Sequence, residues 1–392
     1  MSTSPNRRDF LKFLAASPLA GLTGAKAADA VIAAPGDALN VFDFENAARQ
    51  ILPPAHFGYI ATGVDADVTV RANREGMEKF YIRPRRLVDT SKTDLSVELL
   101  GTRWPTPIAL APIGSQRAFH PEGEIAVARA AGAKKHLQIL STQTTSSIED
   151  INAAFGSPIW FQLYASTNWT LSRAMVKRAE AAGCPALVYT VDQISGSNRE
   201  TLKRFSAQDS RDCRVCHDNT SLETRNIRRP MFQGLDQTKT AFQPPTNWDY
   251  VKRLQDTTSM KIVIKGIVTR EDAELAAKHG VAAVVCSNHG GRADDIGSSS
   301  IECLPEIVAG VGGKIPVLVD GGFRRGTDIF KALALGAHTV LIGRPYVWGL
   351  SAFGQEGVAA VLEILRRELQ LAMRYAGTPK IADITPAHVG KH

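Results

Sequence analysis

The stretch PVLVDGGFRRGTDIFKALALGAHTVLIGRP, residues 316–345, contains one full repeat of the unit that decides the fold. A short apolar run ends at Asp320, a helix-like stretch follows over Gly326–Leu335, and a second apolar run begins at Thr339. Strands that are apolar throughout are buried on both faces, and a helix between two of them makes the strands parallel. The stretch therefore predicts a β-α-β unit of a parallel sheet.

The same alternation continues along the chain from Pro107, and eight units of this kind are typical of a closed (β/α)₈ barrel. The first run is followed by no G-x-G-x-x-G turn, which argues against a dinucleotide-binding Rossmann domain. We therefore predict an α/β fold, a (β/α)₈ TIM barrel over residues 41–392 that begins with a helical segment over Val41–Gly76. The predicted strands are Pro107–Pro112, Gln138–Thr142, Ile159–Leu163, Ala186–Asp192, Lys261–Ile267, Ala282–His289, Pro316–Gly322 and Thr339–Pro345.

The composition is that of an ordinary globular protein, with 44% hydrophobic and 22% charged residues. The formal net charge is +7, and part of this surplus lies in the first 27 residues. A modest surplus without a clustered basic stripe favours anionic small molecules over nucleic acid as partners. The sequence contains no apolar run of the roughly 18 residues that an ordinary membrane-spanning helix needs.

The N-terminal residues have the features of an export signal. Arg7 and Arg8 resemble the twin-arginine pair, a mildly apolar run follows, and residues 25–27 are mostly small, as a signal peptidase requires. The alternative is a basic tail without a targeting role. We predict a twin-arginine signal over residues 1–27, a leader over residues 28–40, and a periplasmic location. This export route carries folded proteins, which raises the expectation of a bound redox cofactor.

A long polar segment, residues 205–247, follows the fourth predicted strand and is expected to form a lid over the carboxyl end of the barrel. In it, Cys213 and Cys216 precede His217 with the spacing of a haem c attachment site. A haem would take His217 as one ligand and Met231 as a candidate second ligand. The two cysteines are equally compatible with a disulfide that stiffens the lid. We favour the disulfide, because the segment is short for a haem domain, and keep haem c as the alternative.

Polar residues follow the predicted strands at their carboxyl ends, where barrel enzymes carry their functional groups. After the last two strands, Gly322 precedes Arg324 and Gly343 precedes Arg344. Backbone amides beside a guanidinium group suit a phosphate dianion, and barrels often place a phosphate site after strands seven and eight. We therefore predict phosphate binding there. The other polar strand ends are Gly114, Ser141, Gln162 with Tyr164, Thr190 with Asp192, Lys265 and Ser287–His289.

His289 and Arg292 flank two glycines after the sixth predicted strand. A histidine near neutral pH accepts a proton, an arginine clamps a carboxylate with two parallel hydrogen bonds, and the glycines leave room for a substrate. A single histidine is more often structural, but Asp192 and Lys265 are predicted at neighbouring strand ends. The grouping predicts an acid–base site for an anionic substrate.

These residues lie in motifs that resemble the FMN-dependent L-2-hydroxy acid oxidases and dehydrogenases, which include glycolate oxidase, lactate oxidase, mandelate dehydrogenase and flavocytochrome lactate dehydrogenase. The resemblance extends over about residues 42–389 and implies a TIM barrel that binds FMN and oxidises an L-2-hydroxy acid to the 2-oxo acid. The matching motifs, in chain order, are HPEGE (120–124), FQLY (161–164), TVD (190–192), KGI (265–267), SNHGGR (287–292), DGGFRRGTD (320–328) and IGRP (342–345).

The resemblance also implies roles for individual residues. His289 would remove a proton from the substrate, Asp192 would hold its imidazole, and Tyr164 would hydrogen-bond the substrate hydroxyl. Lys265 would lie against the edge of the flavin that becomes negative on reduction. The substrate carboxylate would be bound by Tyr59, Arg199 and Arg292. The remaining FMN contacts would come from Gly114, Ser141, Gln162, Thr190, Ser287, Asp320, Gly322, Arg324, Gly343 and Arg344.

Gln143 departs from the resembled family, because plant glycolate oxidases have a tryptophan in the substrate pocket at this position. The smaller amide puts glycolate in doubt and allows a larger or polar substrate side chain. The expected electron acceptor is a periplasmic or membrane cytochrome or quinone. The alternatives are an oxidase that reduces O₂ to H₂O₂ and an FMN electron-relay subunit without a substrate. The family resemblance also implies a homotetramer.

Overall fold

The computed structural model describes residues 31–193, 196–211, 228–235 and 247–392. Eight parallel strands in these residues form one sheet that curls into a barrel, which confirms the predicted fold class. All eight predicted strands are present, each within a few residues of its predicted bounds. Numbered along the chain, the strands are β1 (Phe80–Ile82), β2 (Val97–Leu99) and β3 (Thr102–Trp104), the barrel strands β4 (Ile108–Leu110), β5 (Ile139–Ser141), β6 (Trp160–Leu163), β7 (Ala186–Thr190), β8 (Lys261–Ile267), β9 (Ala283–Cys286), β10 (Val317–Val319) and β11 (Thr339–Ile342), and the final strand β12 (Val389–Lys391).

The barrel closes between its first and second strands. The strand order β4-β11-β10-β9-β8-β7-β6-β5 leaves β4 and β5 at the two ends of the sheet. Leu110 of β4 joins them, because its N–H donates to the carbonyl oxygen of Leu137 at 2.8 Å and it forms a parallel bridge with Gln138. The carboxyl ends of all eight strands therefore surround one opening, as barrel enzymes require.

The inside of the barrel is apolar over most of its depth. Every second residue of a strand points inward, and the inward residues near the amino end form a separate hydrophobic cluster. The hairpin of β2 and β3 covers this end, with Leu99 only 2% exposed. A site inside the barrel therefore has to lie at the carboxyl end. The cluster contains Leu99, Ala109, Ala111, Leu137, Ile139, Trp160, Ala186, Val188, Val263, Ala283, Val285, Leu318 and Leu341.

Helices pack around the strands, and several begin at an asparagine or serine whose side chain accepts a hydrogen bond from the first helical turn, as at Ser147 and Asn247. No helix in the described ranges combines the length and the apolar character needed to cross a membrane. The helices are α1 (Val41–Ile51), α2 (Pro54–Ala61), α3 (Val68–Glu78), α4 (Gly123–Lys134), α5 (Ile148–Phe155), α6 (Trp169–Ala181), α7 (Glu200–Ala207), α8 (Trp248–Thr257), α9 (Arg270–Lys278), α10 (Ser300–Val311), α11 (Gly326–Ala334) and α12 (Arg344–Ala376).

The predicted helical segment Val41–Gly76 is not one helix but three, α1 to α3. Pro53 and Pro54 separate the first two, since proline lacks the N–H that continues a helix. Asp65 and Asp67 adopt left-handed backbone conformations before α3 begins. These breaks turn the segment across the carboxyl end of the barrel, so that residues of α2 and α3 reach the candidate site.

The predicted lid is described only in part. Cys213, Cys216 and His217 lie outside the described residues, as do the predicted signal and leader up to residue 30. Met231, the candidate second haem ligand, is fully buried in the main hydrophobic cluster. Its side chain is therefore part of the core packing.

Two halves of α12 meet at a kink, where Phe353 and Gly354 leave the helical conformation. Gly349 in the first half lies against Gly357 in the second, and a Cβ at Gly349 would lie 2.5 Å from the carbonyl oxygen of Gly357. The contact is between two backbones, so neither side can yield without moving a helix.

We expect Gly349→Ala to lower the free energy of unfolding by about 1–3 kcal/mol, the usual cost of overpacking. Alanine has a higher helix propensity than glycine, so a loss of stability in this variant would have to come from the crowding. Urea denaturation of the two proteins measures the difference. Gly36→Ala is the control, because a Cβ there meets nothing within 4 Å. Equal stability of Gly349→Ala and the native protein would contradict the backbone contact.

Candidate active site

The carboxyl end of the barrel holds a cleft with an empty volume of about 800 Å³, part of which is open to solvent. Residues from α2, from the barrel strand ends and from the first turn of α12 line it. The predicted site residues that line the cleft are Tyr59, Gly114, Tyr164, Lys265, His289, Arg292, Asp320, Gly322, Arg324, Gly343 and Arg344.

Four more predicted residues belong to the uppermost inward layer of the barrel. Each lies two positions after an inward apolar residue, so strand alternation brings them to one level. Gln162 donates from Nε2 to the hydroxyl of Thr190 at 3.0 Å, and its Oε1 accepts from the N–H of Thr142. The layer is therefore hydrogen-bonded as well as buried. The four residues are Ser141, Gln162, Thr190 and Ser287.

Lys265 and Asp320 form a buried ion pair at the end of β8 and β10. The Lys265 Nζ lies 2.9 Å from a carboxylate oxygen of Asp320 and donates to the hydroxyl of Ser287 at 2.7 Å. Lys265 is 3% exposed and Asp320 is 6% exposed. Burial lowers the pKa of Lys265, but the charges of Asp320 and Asp192 outweigh it and leave the pKa above its usual value. The cleft therefore holds a permanent cation.

His289 lies between Asp192 and Tyr164. Its Nδ1 is 2.8 Å from Oδ1 of Asp192, and its Nε2 is 3.2 Å from the Tyr164 hydroxyl. His289 adopts a left-handed conformation with φ 55°, and Gly290 and Gly291 continue it, so the chain turns sharply and points the imidazole into the cleft. The structure thus brings together three residues that the sequence placed on three different strand ends.

The environment fixes the charge state of the two partners of His289. Burial raises the pKa of Asp192, but the charge and hydrogen bond of His289 and the charge of Lys265 outweigh it, so the pKa stays below its usual value. Burial, reinforced by the Asp192 charge, raises the pKa of Tyr164 far above its usual value. Asp192 is therefore a carboxylate and Tyr164 a neutral hydroxyl throughout the neutral pH range.

Arg292 and Arg199 converge on Tyr59 from two loops. The Arg292 guanidinium lies 4.6 Å from the centre of the Tyr59 ring, and that of Arg199 lies 5.5 Å from it. Both donate to the carbonyl oxygen of Tyr59. Burial, reinforced by Arg292, lowers the pKa of Arg199 to about 10. This arrangement concentrates positive charge beside His289.

Arg344 and Arg324 extend this positive charge along the cleft. Arg344 donates to the carbonyl oxygens of Ile60 at 2.6 Å and Gly290 at 2.9 Å, and burial together with neighbouring arginines holds its pKa well below the usual value. Burial also lowers the pKa of Arg324 to about 10. Among the described residues these two groups, like Arg292 and Arg199, form no ion pair with a carboxylate. The cleft therefore carries the positive charge that an anionic ligand would need.

The sequence profile of a family described as FMN-dependent dehydrogenase matches residues 48–391. The chain belongs to this family. Its members are FMN-dependent 2-hydroxy acid oxidases and dehydrogenases, so the protein is an oxidoreductase of that class.

Individual proteins that are similar to this chain are oxidases of 2-hydroxy acids, as expected for the family. Glycolate oxidase 1 of Oryza sativa subsp. indica is 39% identical over 367 residues, which cover 90% of this chain and 96% of the relative. A peroxisomal (S)-2-hydroxyacid oxidase of Arabidopsis thaliana is 39% identical over 355 residues, with 90% and 96% covered. A crystal structure of mandelate oxidase superposes with a TM-score of 0.79 at 36% identity and covers 91% of this chain and 98% of its own. FMN-dependent oxidation of a 2-hydroxy acid is therefore the activity of this class of protein.

The comparisons correct the predicted location. Several relatives, from rice and from Arabidopsis thaliana, are named as peroxisomal enzymes, which contradicts a periplasmic protein exported by the twin-arginine route. The prediction rested on residues 1–27, which precede the matched part of the chain. The family match also gives no support for haem c at Cys213 and Cys216.

The described residues of this FMN-dependent dehydrogenase fit its cofactor. Arg324 and Arg344, which pair with no carboxylate among the described residues, supply the charge that a phosphate needs, and α12 begins at Arg344 without a side-chain cap. Gly322, with φ 86°, lies so close to Asn73 that a Cβ would be 2.7 Å from its carbonyl carbon. A side chain at this position would clash with α3, so the close packing of the two backbones requires glycine. The polar layer and Lys265 supply hydrogen bonds and charge for the flavin ring.

Some residues near the site were not predicted from the sequence. Asn73 of α3 is one of them: it exchanges side-chain hydrogen bonds at 2.8 and 2.9 Å with Asn288, a residue of the predicted polar strand end, and joins α3 to the end of β9. Arg74 pairs with Asp328 at 2.8 Å and also donates to the carbonyl oxygen of Gly322. For Asn73 the sequence signal is a polar residue on the buried face of a predicted helix, which is weak by itself. Arg229 is a third case, since its only local context is a polar segment.

Proposed function

We propose that the protein oxidises an L-2-hydroxy acid to the corresponding 2-oxo acid, with His289 as the base. The observation that carries this proposal is the chain of contacts from Tyr164 through His289 to Asp192. It lies at the edge of a cleft whose arginines form no ion pair with a carboxylate of the described residues. When bound, FMN supplies the acceptor for the two electrons that leave the substrate. Side chains of the cleft bind the substrate, orient it and accept its proton.

Asp192 determines which nitrogen of His289 can act. A carboxylate next to Nδ1 holds the proton on that nitrogen, so Nε2 carries the free lone pair. Nε2 faces Tyr164 and the cleft, where a substrate hydroxyl would lie. When His289 takes a proton from the substrate, the Asp192 carboxylate stabilises the resulting imidazolium. Because the pKa of Asp192 is below its usual value, this support is present above that pKa and is lost only when the pH falls through it.

Arg292 and Tyr59 bind the substrate carboxylate in this proposal, and Arg199 adds charge behind them. Tyr164 is a neutral donor, since burial raises its pKa, and it is placed to hydrogen-bond the substrate hydroxyl beside His289. The substrate is thereby oriented before the proton leaves.

The cofactor contacts follow from the same arrangement. We propose that Arg324, Arg344 and the backbone at Gly322 and Gly343 hold the phosphate end. Lys265 holds the edge of the ring that gains negative charge, while Gly114 lies near its face. The rest of the ring and the ribityl chain would be held by Ser141, Gln162, Thr190, Ser287 and Asp320.

The names of the relatives favour O₂ as the electron acceptor over a cytochrome or a quinone, because those in the comparison are called oxidases. The substrate side chain is less defined, since relatives named for glycolate and for mandelate both match. Gln143, which lies against Gly114 of the cleft wall, is smaller than the tryptophan expected from the family resemblance, so we propose a substrate side chain larger than that of glycolate.

Anaerobic mixing of the FMN-loaded protein with L-2-hydroxy acids tests the proposal. We expect loss of the yellow flavin absorbance with the L-isomer of lactate, mandelate or a longer 2-hydroxy acid, and no loss with the D-isomer. Admission of O₂ should restore the colour within the turnover time and release H₂O₂. Recolouring that needs an added dye or cytochrome would identify a dehydrogenase. A flavin that no hydroxy acid bleaches would contradict the proposed function.

A further inference from the structure

Arg229 brings another guanidinium group to the wall of the cleft. Its Nη1 donates to the carbonyl oxygen of Gln143 at 2.9 Å, and the same oxygen accepts from the N–H of Ser115 at 2.9 Å. Gln143 lies against Gly114, which lines the cleft, since a Cβ at Gly114 would be 2.6 Å from the Cβ of Gln143. Arg229 is therefore one residue behind the cleft wall, on the side of Gly114.

The neighbours of Arg229 hold it in place. Met231 is fully buried and Phe232 is 1% exposed, so both anchor the short turn that follows Arg229. Arg178 of α6 donates from Nη1 to the carbonyl oxygen of Pro230 at 2.5 Å, and Glu149 holds Arg178 through two contacts at 2.9 and 2.8 Å. The backbone at Arg229 is thus fixed from outside the barrel, while its side chain extends toward the site.

No carboxylate of the described residues pairs with Arg229. Within the described ranges no acidic side chain lies at ion-pair distance from it. Glu124, which interacts with it electrostatically, is already engaged, because its Oε1 accepts from the N–H groups of Gln116 at 3.1 Å and Thr145 at 3.0 Å. Arg229 also interacts electrostatically with Tyr59, the residue on which Arg292 lies. Arg229 therefore adds positive charge near the region proposed for the substrate, where its hydrogen bond to Gln143 holds it.

The Gln143 side chain adds a neutral polar group next to this charge. Its amide forms no hydrogen bond with any of the described residues, while its backbone N–H donates to the hydroxyl of Ser141 at 3.1 Å. The amide can therefore donate to a ligand. It belongs to the residue whose backbone carbonyl oxygen accepts the hydrogen bond from Arg229. The guanidinium group of Arg229 and the amide of the residue to which it is bound both offer donors for a carboxylate.

We propose that Arg229 and Gln143 form a subsite that selects 2-hydroxy acids with a second carboxylate at the far end of the side chain. The inference rests on the proposed function, because it assumes that Arg292 and Tyr59 hold the first carboxylate. The favoured substrates are then hydroxy dicarboxylates of the length of L-2-hydroxyglutarate. Monocarboxylates of similar length fit the same space but leave the Arg229 charge without a partner.

Arg229→Met tests the subsite, with kcat/KM measured for L-2-hydroxyglutarate and for L-2-hydroxyhexanoate. The native protein should prefer the dicarboxylate. The substitution should lower kcat/KM for the dicarboxylate about 10- to 100-fold, mainly through KM, since a hydrogen bond to a charged group is usually worth that much. The value for the monocarboxylate should stay within about threefold, because that substrate has no group for Arg229 to bind. Arg229→Lys should keep part of the preference, since the charge remains.

Arg173→Met is the matched control, because Arg173 is an exposed arginine of α6 outside the barrel, and both substrates should be unaffected. Equal losses on the two substrates in Arg229→Met would show that Arg229 only supports the fold of the wall, and would overturn the subsite. A native protein that is reduced by lactate or hexanoate derivatives but not by a dicarboxylate would also overturn it and leave the proposed function intact. A flavin that no hydroxy acid reduces would remove both proposals.

Discussion

His289→Gln is expected to lower the rate constant for flavin reduction by the hydroxy acid about 10³- to 10⁴-fold, the upper range for a general base. Glutamine keeps a polar group near Asp192 and Tyr164, but its amide cannot take a proton from the substrate. FMN should remain bound, because the arginines and the polar layer that would hold it are unchanged. Anaerobic stopped-flow measurement of the flavin absorbance gives the rate constant directly.

His279→Gln is the control for this substitution, since His279 lies at the end of α9 and its ring stacks on Trp248 outside the barrel. Its reduction rate should equal that of the native protein. The outcome that would contradict the role of His289 is bleaching of His289→Gln at a near-native rate with full FMN occupancy. Loss of FMN from the variant would instead indicate that the histidine supports the cofactor site.

The barrel could be predicted from the sequence because its signal is local. The predicted bounds of strand β8, Lys261–Ile267, are those that the structure shows, since residues 262–264 are an apolar run between two lysines. The polar layer follows from the same pattern, because an inward residue recurs at every second position. His289 and Lys265 could be assigned to the site on this basis before any contact was known.

The parts that could not be predicted depend on contacts between distant segments. Arg292 donates to the carbonyl oxygen of Tyr59, 233 positions away in the chain. No local pattern indicates that α2 crosses the barrel opening there, and the breaks at Pro53 and Asp67 appeared only in the structure. Arg229 is similar, because a basic residue in a polar segment has no periodicity that marks it as buried. Sequence patterns thus predict the strand ends but not the segments that cover them.

Lys265→Met is expected to lower the free energy of unfolding by about 3–5 kcal/mol at pH 7, the usual cost of removing one partner of a buried ion pair. Among the described residues, the substitution leaves the buried Asp320 carboxylate with the Ser287 hydroxyl, at 2.6 Å, as its one compensating side-chain contact. The folded-state pKa of Lys265 is raised, so its charge stabilises the protein fully below the unfolded pKa and is lost only as the pH rises through the folded one. At neutral pH the native protein therefore has the full stabilisation from the Lys265 charge, and the variant lacks all of it.

The double variant Lys265→Met/Asp320→Asn separates charge from packing. If the unpaired Asp320 charge causes the loss of stability, removal of both charges should recover most of the stability that Lys265→Met lacks. FMN reduction should stay slow in the double variant, because the cation beside the ring is absent. Lys261→Met, at the exposed start of the same strand, should change stability by no more than about 0.5 kcal/mol. Denaturant unfolding of the four apoproteins measures these differences. A double variant as unstable as Lys265→Met would mean that the lysine acts through packing, and that the ion pair is not what holds the ends of β8 and β10 together.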